Sequence, residues 1–89
     1  MIAHAVTITD TPTLIAEVSG ASIVPNSILV HSLADNDTVY LGGSDVTTTN
    51  GLPLDAGATL GWDLVGEAIY GVVASGTAEV RVLRRGRGA

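Results

Sequence analysis

The chain contains no cysteine, no lysine and no phenylalanine, and only one Trp and two Tyr among 89 residues. Without cysteine there are no disulfides, no thiol nucleophile and no thiolate metal site. Without Phe the core has to be built from Val, Leu, Ile and Ala. A chain of this length buries only roughly 60–70% of its unfolded surface, so that core is thin. Small domains are reinforced by disulfides, metals or association. With disulfides excluded, self-association or docking on a larger body is expected. Long apolar runs are missing too. No stretch approaches the ~18 residues of a membrane helix, and the first residues lack the charged and continuous apolar segments of a signal peptide. No membrane partner is expected.

Positive charge is scarce and confined. Arg81, Arg84, Arg85 and Arg87 are the only cations, so residues 1–80 carry nine acids and no base, and the formal net charge is -5. An acidic body repels phosphate backbones, which makes nucleic acid a poor partner. The arginine-rich end suits carboxylates instead, because guanidinium pairs with them in a planar, bidentate way. It divides the chain into a domain over 1–84 and a short basic tail over 85–89.

What is present is β-patterned. Residues 4–9 alternate, with Val6 and Ile8 on one face and Thr7 and Thr9 on the other. Asp10-Thr11-Pro12 signals a turn. Residues 13–18 read as a strand with Leu14, Ala16 and Val18 inward, then a turn at Ser19-Gly20. Ile23-Val24 leads into a bend at Pro25-Asn26. Residues 27–33 form a nearly continuous apolar strand, of the kind covered on both faces by the domain or by a neighbouring subunit. With 38–41 it is expected to make a hairpin. Residues 58–65 place Leu60, Trp62 and Leu64 on one face, so Trp62 reads as core. Gly66-Glu67 is a turn. Residues 68–74 and 77–83, joined by Ser75-Gly76, read as a second hairpin, with Ala78, Val80 and Val82 inward.

The segment from Val39 to Gly57 organises the rest. A short strand ends at Gly42-Gly43, three threonines come next, and Asn50-Gly51 is a turn dipeptide tolerant of positive φ. Pro53 restricts the segment after this turn to an edge strand or loop. The whole stretch is expected to cross between two halves of the domain. Seven or eight short strands at roughly 8–12-residue spacing give an all-β fold, a small antiparallel sandwich or barrel with Greek-key or jelly-roll connections.

Chemical motifs are weak. Asp35, Asn36, Asp37 and Asp45 are oxygen-ligand types but lack calcium-loop spacing, so no metal is expected. His4 or His31 would need Ser27, Ser32 or Ser44 and an acid nearby to form a triad, and no nucleophile elbow is present. Asp63 and Glu67 flank a turn and not a cleft, unlike the paired carboxylates of glycoside hydrolysis. Gly42-Gly43-Ser44 precedes neither Lys nor helix, so it cradles no phosphate. No cofactor is expected and no catalytic residue is assigned; a small hydrolase is the weakest reading. Tyr40 and Tyr70 offer a sugar-stacking pair. The residues expected to contact an oligomer partner or larger body are Ile28, Val30 and His31 on the apolar strand, with Arg84, Arg85 and Arg87.

The run Thr38-Val39-Tyr40-Leu41-Gly42-Gly43-Ser44-Asp45-Val46-Thr47, then Asn50-Gly51 through Leu54 and Gly57, resembles small β-rich structural proteins encoded beside capsid genes in tailed bacteriophages. Ala68-Ile69-Tyr70-Gly71-Val72 and Gly76 to Leu83 extend the likeness over about the last two-thirds of the chain. Such proteins decorate capsids or serve as minor head proteins. The resemblance implies a β-sandwich without enzymatic activity that attaches to the major capsid protein on the outer surface of the assembled head, commonly as a homotrimer, after synthesis in the host cytoplasm. Similar modules occur in phage tails and fibres, which leaves open a tail- or fibre-associated module that binds carbohydrate or another virion protein.

Overall fold

Period-two alternation of aliphatic residues, interrupted every few residues by Gly, Pro, Asn or Asp, favours pleated strands over helices. The computed structural model describes residues 2–17, 26–64 and 67–84. These contain eight strands: β1 (Ile2–Ile8), β2 (Thr13–Glu17), β3 (Asn26–Ser32), β4 (Val39–Gly42), β5 (Leu52–Leu54), β6 (Thr59–Leu64), β7 (Ala68–Val72) and β8 (Ala78–Arg84). They form two antiparallel sheets, ordered β1-β8-β3-β6 and β2-β7-β4-β5. The fold is the all-β sandwich expected, and its strand order is that of a jelly roll.

The pairing is nested. β1 pairs with β8, β2 with β7, β3 with β6 and β4 with β5, as though one long hairpin had been rolled up around its tip. The pairs β3–β8 and β4–β7 then join these ribbons into sheets. Consecutive strands therefore alternate between sheets, except β4 and β5.

This corrects three expectations. β3 and β4 are not a hairpin, and neither are β7 and β8; each pair is split between the two sheets. The apolar sides of these strands face each other across the core instead of lining one surface, so Ile28 and Val30 join Val39 and Leu41 in a single cluster. The segment from Val39 to Gly57 is not a crossing: it holds the one hairpin that stays within a sheet. The crossing comes at its end, where the Ala58 N–H donates to the Asp55 carbonyl at 2.9 Å and Gly57 adopts φ 77°. A residue with a Cβ would be strained there. Pro53 lies in the edge strand β5, as its missing N–H requires.

The core is aliphatic throughout: Ile8, Ile15, Ile28, Val30, Val80 and Val82 are among its buried members. In β2, simple alternation fails. A register shift between Leu14 and Ala16 puts both Ile15 and Ala16 inside and leaves Leu14 outside. Such a bulge opposes two residues to one and reverses facing beyond it. Trp62 is not core. It has inward parity opposite Ile28, but β6 is the outermost strand of its sheet, and the ring is 54% exposed, with its Nε1 donating to Glu67 Oε1 at 3.4 Å. Val18, the Ser19-Gly20 turn, Ile23 to Pro25, Val65, Gly66 and the 85–89 tail lie outside the described residues.

Among the described residues one polar side chain is buried as a whole. Ser32 has no exposed surface, and its Oγ accepts a hydrogen bond from Asn36 Nδ2 at 2.9 Å. The Asn36 amide also donates to the Glu79 carbonyl at 2.6 Å and accepts from the Glu79 N–H at 3.2 Å. The side chain thus pairs with β8 as a strand backbone would and ties the loop after β3 to the sheet. Replacing Asn36 by Ala leaves those groups unpaired and is expected to cost about 1–3 kcal/mol, read as a lower urea midpoint at unchanged m-value. Ile28→Ala should cost about 2–5 kcal/mol, and Trp62→Ala about 1 kcal/mol or less. The Trp62 fluorescence of the native protein should be readily quenched by acrylamide.

Candidate functional site

Register assigns the side chains of the first sheet to two faces. Ile28, Val30 and Ser32 of β3 point into the core with Val80 and Val82 of β8. Their neighbours point outward. Across the outer face Ala3, Leu83, Leu29 and Gly61 stand in one row, a single residue from each strand. Leu29 is 45% exposed and Leu83 37%. The row is apolar and uncharged from edge to edge, in a chain whose net charge is -5. A Cβ on Gly61 would lie 3.3 Å from Leu29 Cδ2, so the missing side chain makes room for the leucine. The result is an open groove of about 590 Å³ whose lining includes Leu29, Gly61, Leu83 and Trp62, with Ile28 and Arg84.

Polar pairs frame the row. On one side Ser27 Oγ donates to Asp63 Oδ1 at 2.8 Å. On the other side Ala5, Arg81, His31 and Thr59 form the next row, with His31 Nδ1 2.8 Å from Thr59 Oγ1. Arg81 is held by Glu79, Nη2 to Oε2, at 2.7 Å. An apolar centre with a self-satisfied polar rim is the usual arrangement of a surface that docks on another protein.

The expected contact residues separate accordingly. Ile28 and Val30 face the core and are buried, because the near-continuous apolar run has one buried parity and one exposed parity; Ile28 also borders the groove from below. The surface that β3 offers is Leu29 and His31. The signal that could have identified Leu29 is its place out of step with Ile28 and Val30 in an alternating strand. Arg84 ends β8 half-buried and donates through Nη2 to the Glu17 carbonyl at 3.2 Å, bridging the two sheets. Arg85 and Arg87 lie outside the described residues.

Tyr40 and Tyr70 share the outer face of the second sheet, since Tyr40 stands opposite Val72 and Tyr70 opposite Gly42. Both are half-buried. The loop between β4 and β5 folds back over this face and buries Val46, and a Cβ on Gly42 would lie 2.9 Å from Val46 Cγ2. Val46 thus fills the space over Gly42, between the two tyrosine positions. The loop is held by its own polar groups. Asn50 Oδ1 accepts from the Thr47 N–H at 2.7 Å, and the Gly51 N–H donates to the Thr47 carbonyl at 2.9 Å. Asn50 and Gly51 do not take positive φ. Asn50 serves through its side chain, and Gly51 through close approach: a Cβ there would sit 2.7 Å from Tyr40 Cβ.

The remaining constellations stay apart. Among the described residues no group of three or more His, Asp or Glu side chains is placed to hold a metal ion. His4 Nε2 lies 3.3 Å from the Ile15 carbonyl and His31 faces Thr59, so the hydrogen bonds of neither ring reach a serine. Trp62 borders a second opening of about 300 Å³, at the flank where Leu52 of β5 and Leu60 of β6 approach. No helix among the described residues is long and apolar enough to cross a membrane. No protein-family model, curated protein or solved structure matches this chain.

Gly51→Ala forces Tyr40, Val46 or the loop to move. It is expected to cost about 1–3 kcal/mol and to speed amide exchange at Gly51 and Val46, measured by hydrogen exchange with NMR detection.

Proposed function

We propose that the chain is a non-enzymatic virion structural protein, a capsid decoration protein that attaches to the major capsid protein on the outer surface of an assembled phage head, as a small symmetric oligomer. The observation that carries this reading is the uncharged row of Ala3, Leu83, Leu29 and Gly61 on the outer face of the β1-β8-β3-β6 sheet. Jelly rolls build viral shells as well as lectins, and a fold alone does not choose between them. The half-buried tyrosine pair disfavours sugar stacking, and the resemblance of the last two-thirds of the chain to phage head proteins favours the shell.

The physics of attachment fits the thin core. A shallow apolar footprint gives modest affinity per copy, and repetition on a symmetric lattice multiplies it. A module that binds the assembled shell better than free subunits stabilises the shell by mass action. An acidic body keeps the copies from binding nucleic acid released nearby.

Cosedimentation with purified heads of the encoding phage tests the reading. The wild-type protein should pellet with heads and remain soluble without them. Leu29→Asp with Leu83→Asp should weaken binding at least about tenfold, the loss of a contact worth ~1.4 kcal/mol. Wild-type protein that stays in the supernatant would remove the function, and undiminished binding by the double variant would remove the face.

A further inference from the structure

A jelly roll has four open strand edges, and each is a row of unpaired N–H and C=O groups that can template another strand. Here the edges are β1 and β6 in one sheet and β2 and β5 in the other. Three of them carry a recognised guard. β2 is bulged between Leu14 and Ala16. β5 is three residues long and contains Pro53. β6 carries Asp63 and is interrupted by Gly61. β1 carries none. Its seven residues, Ile-Ala-His-Ala-Val-Thr-Ile, include no proline and no acidic, lysine or arginine side chain. Its register with β8 runs unbroken from Ile2↔Arg84 to Ile8↔Ala78. No described strand pairs with its other side.

We infer that β1 is a self-association edge: it pairs antiparallel with β1 of a second copy of this chain, joining two four-stranded sheets into one continuous eight-stranded sheet about a twofold axis. Chemistry and charge select the occupant. An extended backbone is the protein partner that matches alternating outward N–H and C=O groups in place of water. Two copies, each of net charge -5, approach most easily where both are uncharged, and β1 is such a strand in each. Ala3, Ala5 and Thr7 are its exposed outer-face side chains, small enough for two strands to lie side by side. Because the same edge serves both copies, the contact is isologous and closes at two, in place of the threefold oligomer that the resemblance implies. The pairing also brings the two Leu29–Leu83 rows onto one face, so it doubles the docking surface of the proposed function without occupying it.

Size-exclusion chromatography with light scattering, from low micromolar to near-millimolar protein, tests this on the whole chain. The expected mass is that of a dimer in equilibrium with monomer. Ala3→Lys with Thr7→Lys should shift the chain to monomer, raising the dissociation constant at least about tenfold, while Leu29→Asp leaves the dimer intact. A trimer, a monomer at every concentration, or a dimer that survives the lysines and is lost with Leu29→Asp would overturn the inference. Should the lysine variant fail to fold, hydrogen exchange on the wild type decides. Alternate amides of β1 should gain protection as concentration rises, and concentration-independent exchange along β1 would overturn it. Heads enter neither measurement, so this inference and the docking reading fail separately.

Discussion

The pairing of β1 with β8 closes the fold. It joins residues from the two ends of the domain, Ile2 with Arg84, and everything between them nests inside that ribbon down to the β4–β5 turn. Such a topology is almost wholly non-local. Loop closure has to be offset before the outer pairs contribute, which makes folding of this class slow relative to helical proteins of the same size. The tip is where the nest starts, and it is held by hydrogen bonds of its own. Thr47, Asn50 and Gly51 hydrogen-bond among themselves, and Val46 caps the sheet that the tip extends.

Economy of side chains explains much of the remainder. With no Phe available, the two sheets meet through Ile, Val, Leu and Ala, and glycines are placed where sheets or loops must come close. A Cβ on Gly71 would lie 2.9 Å from Ile15 Cδ1, and one on Gly51 would meet Tyr40. The only tryptophan sits at an edge and not inside. Apolar residues beyond the interior's needs, Leu14, Leu29, Leu52, Trp62 and Leu83, lie on the surface. In an acidic chain these are the places where contact with another protein meets least resistance.

That distribution gives the molecule separable surfaces. The outer face of the first sheet is an apolar row with a satisfied polar rim. The β1 edge is backbone chemistry in the plane of the sheet. The outer face of the second sheet is partly occupied by the protein's own β4–β5 loop. A small module can thus bind a large body with one face and its own copy with an edge, and neither use competes with the other.

Where the chain is extended was legible in the order of its residues. Period-two alternation, the Gly and Pro punctuation and the absent Phe and Cys were enough to read an all-β sandwich with an aliphatic core, because strand facing is a local property with a period of two. That order did not determine which strands are neighbours. β3 and β4, or β7 and β8, look like hairpins when only the turn between them is visible, and the decision to place them in opposite sheets belongs to core burial summed over the whole chain. Three further features were decided in three dimensions alone. The bulge in β2 turned Ile15 inward, the edge position of β6 left Trp62 in water although its parity is that of the core, and the returning loop packed against Tyr40. Each is settled by what lies beside a residue in space, and alternation along the chain carries no record of that.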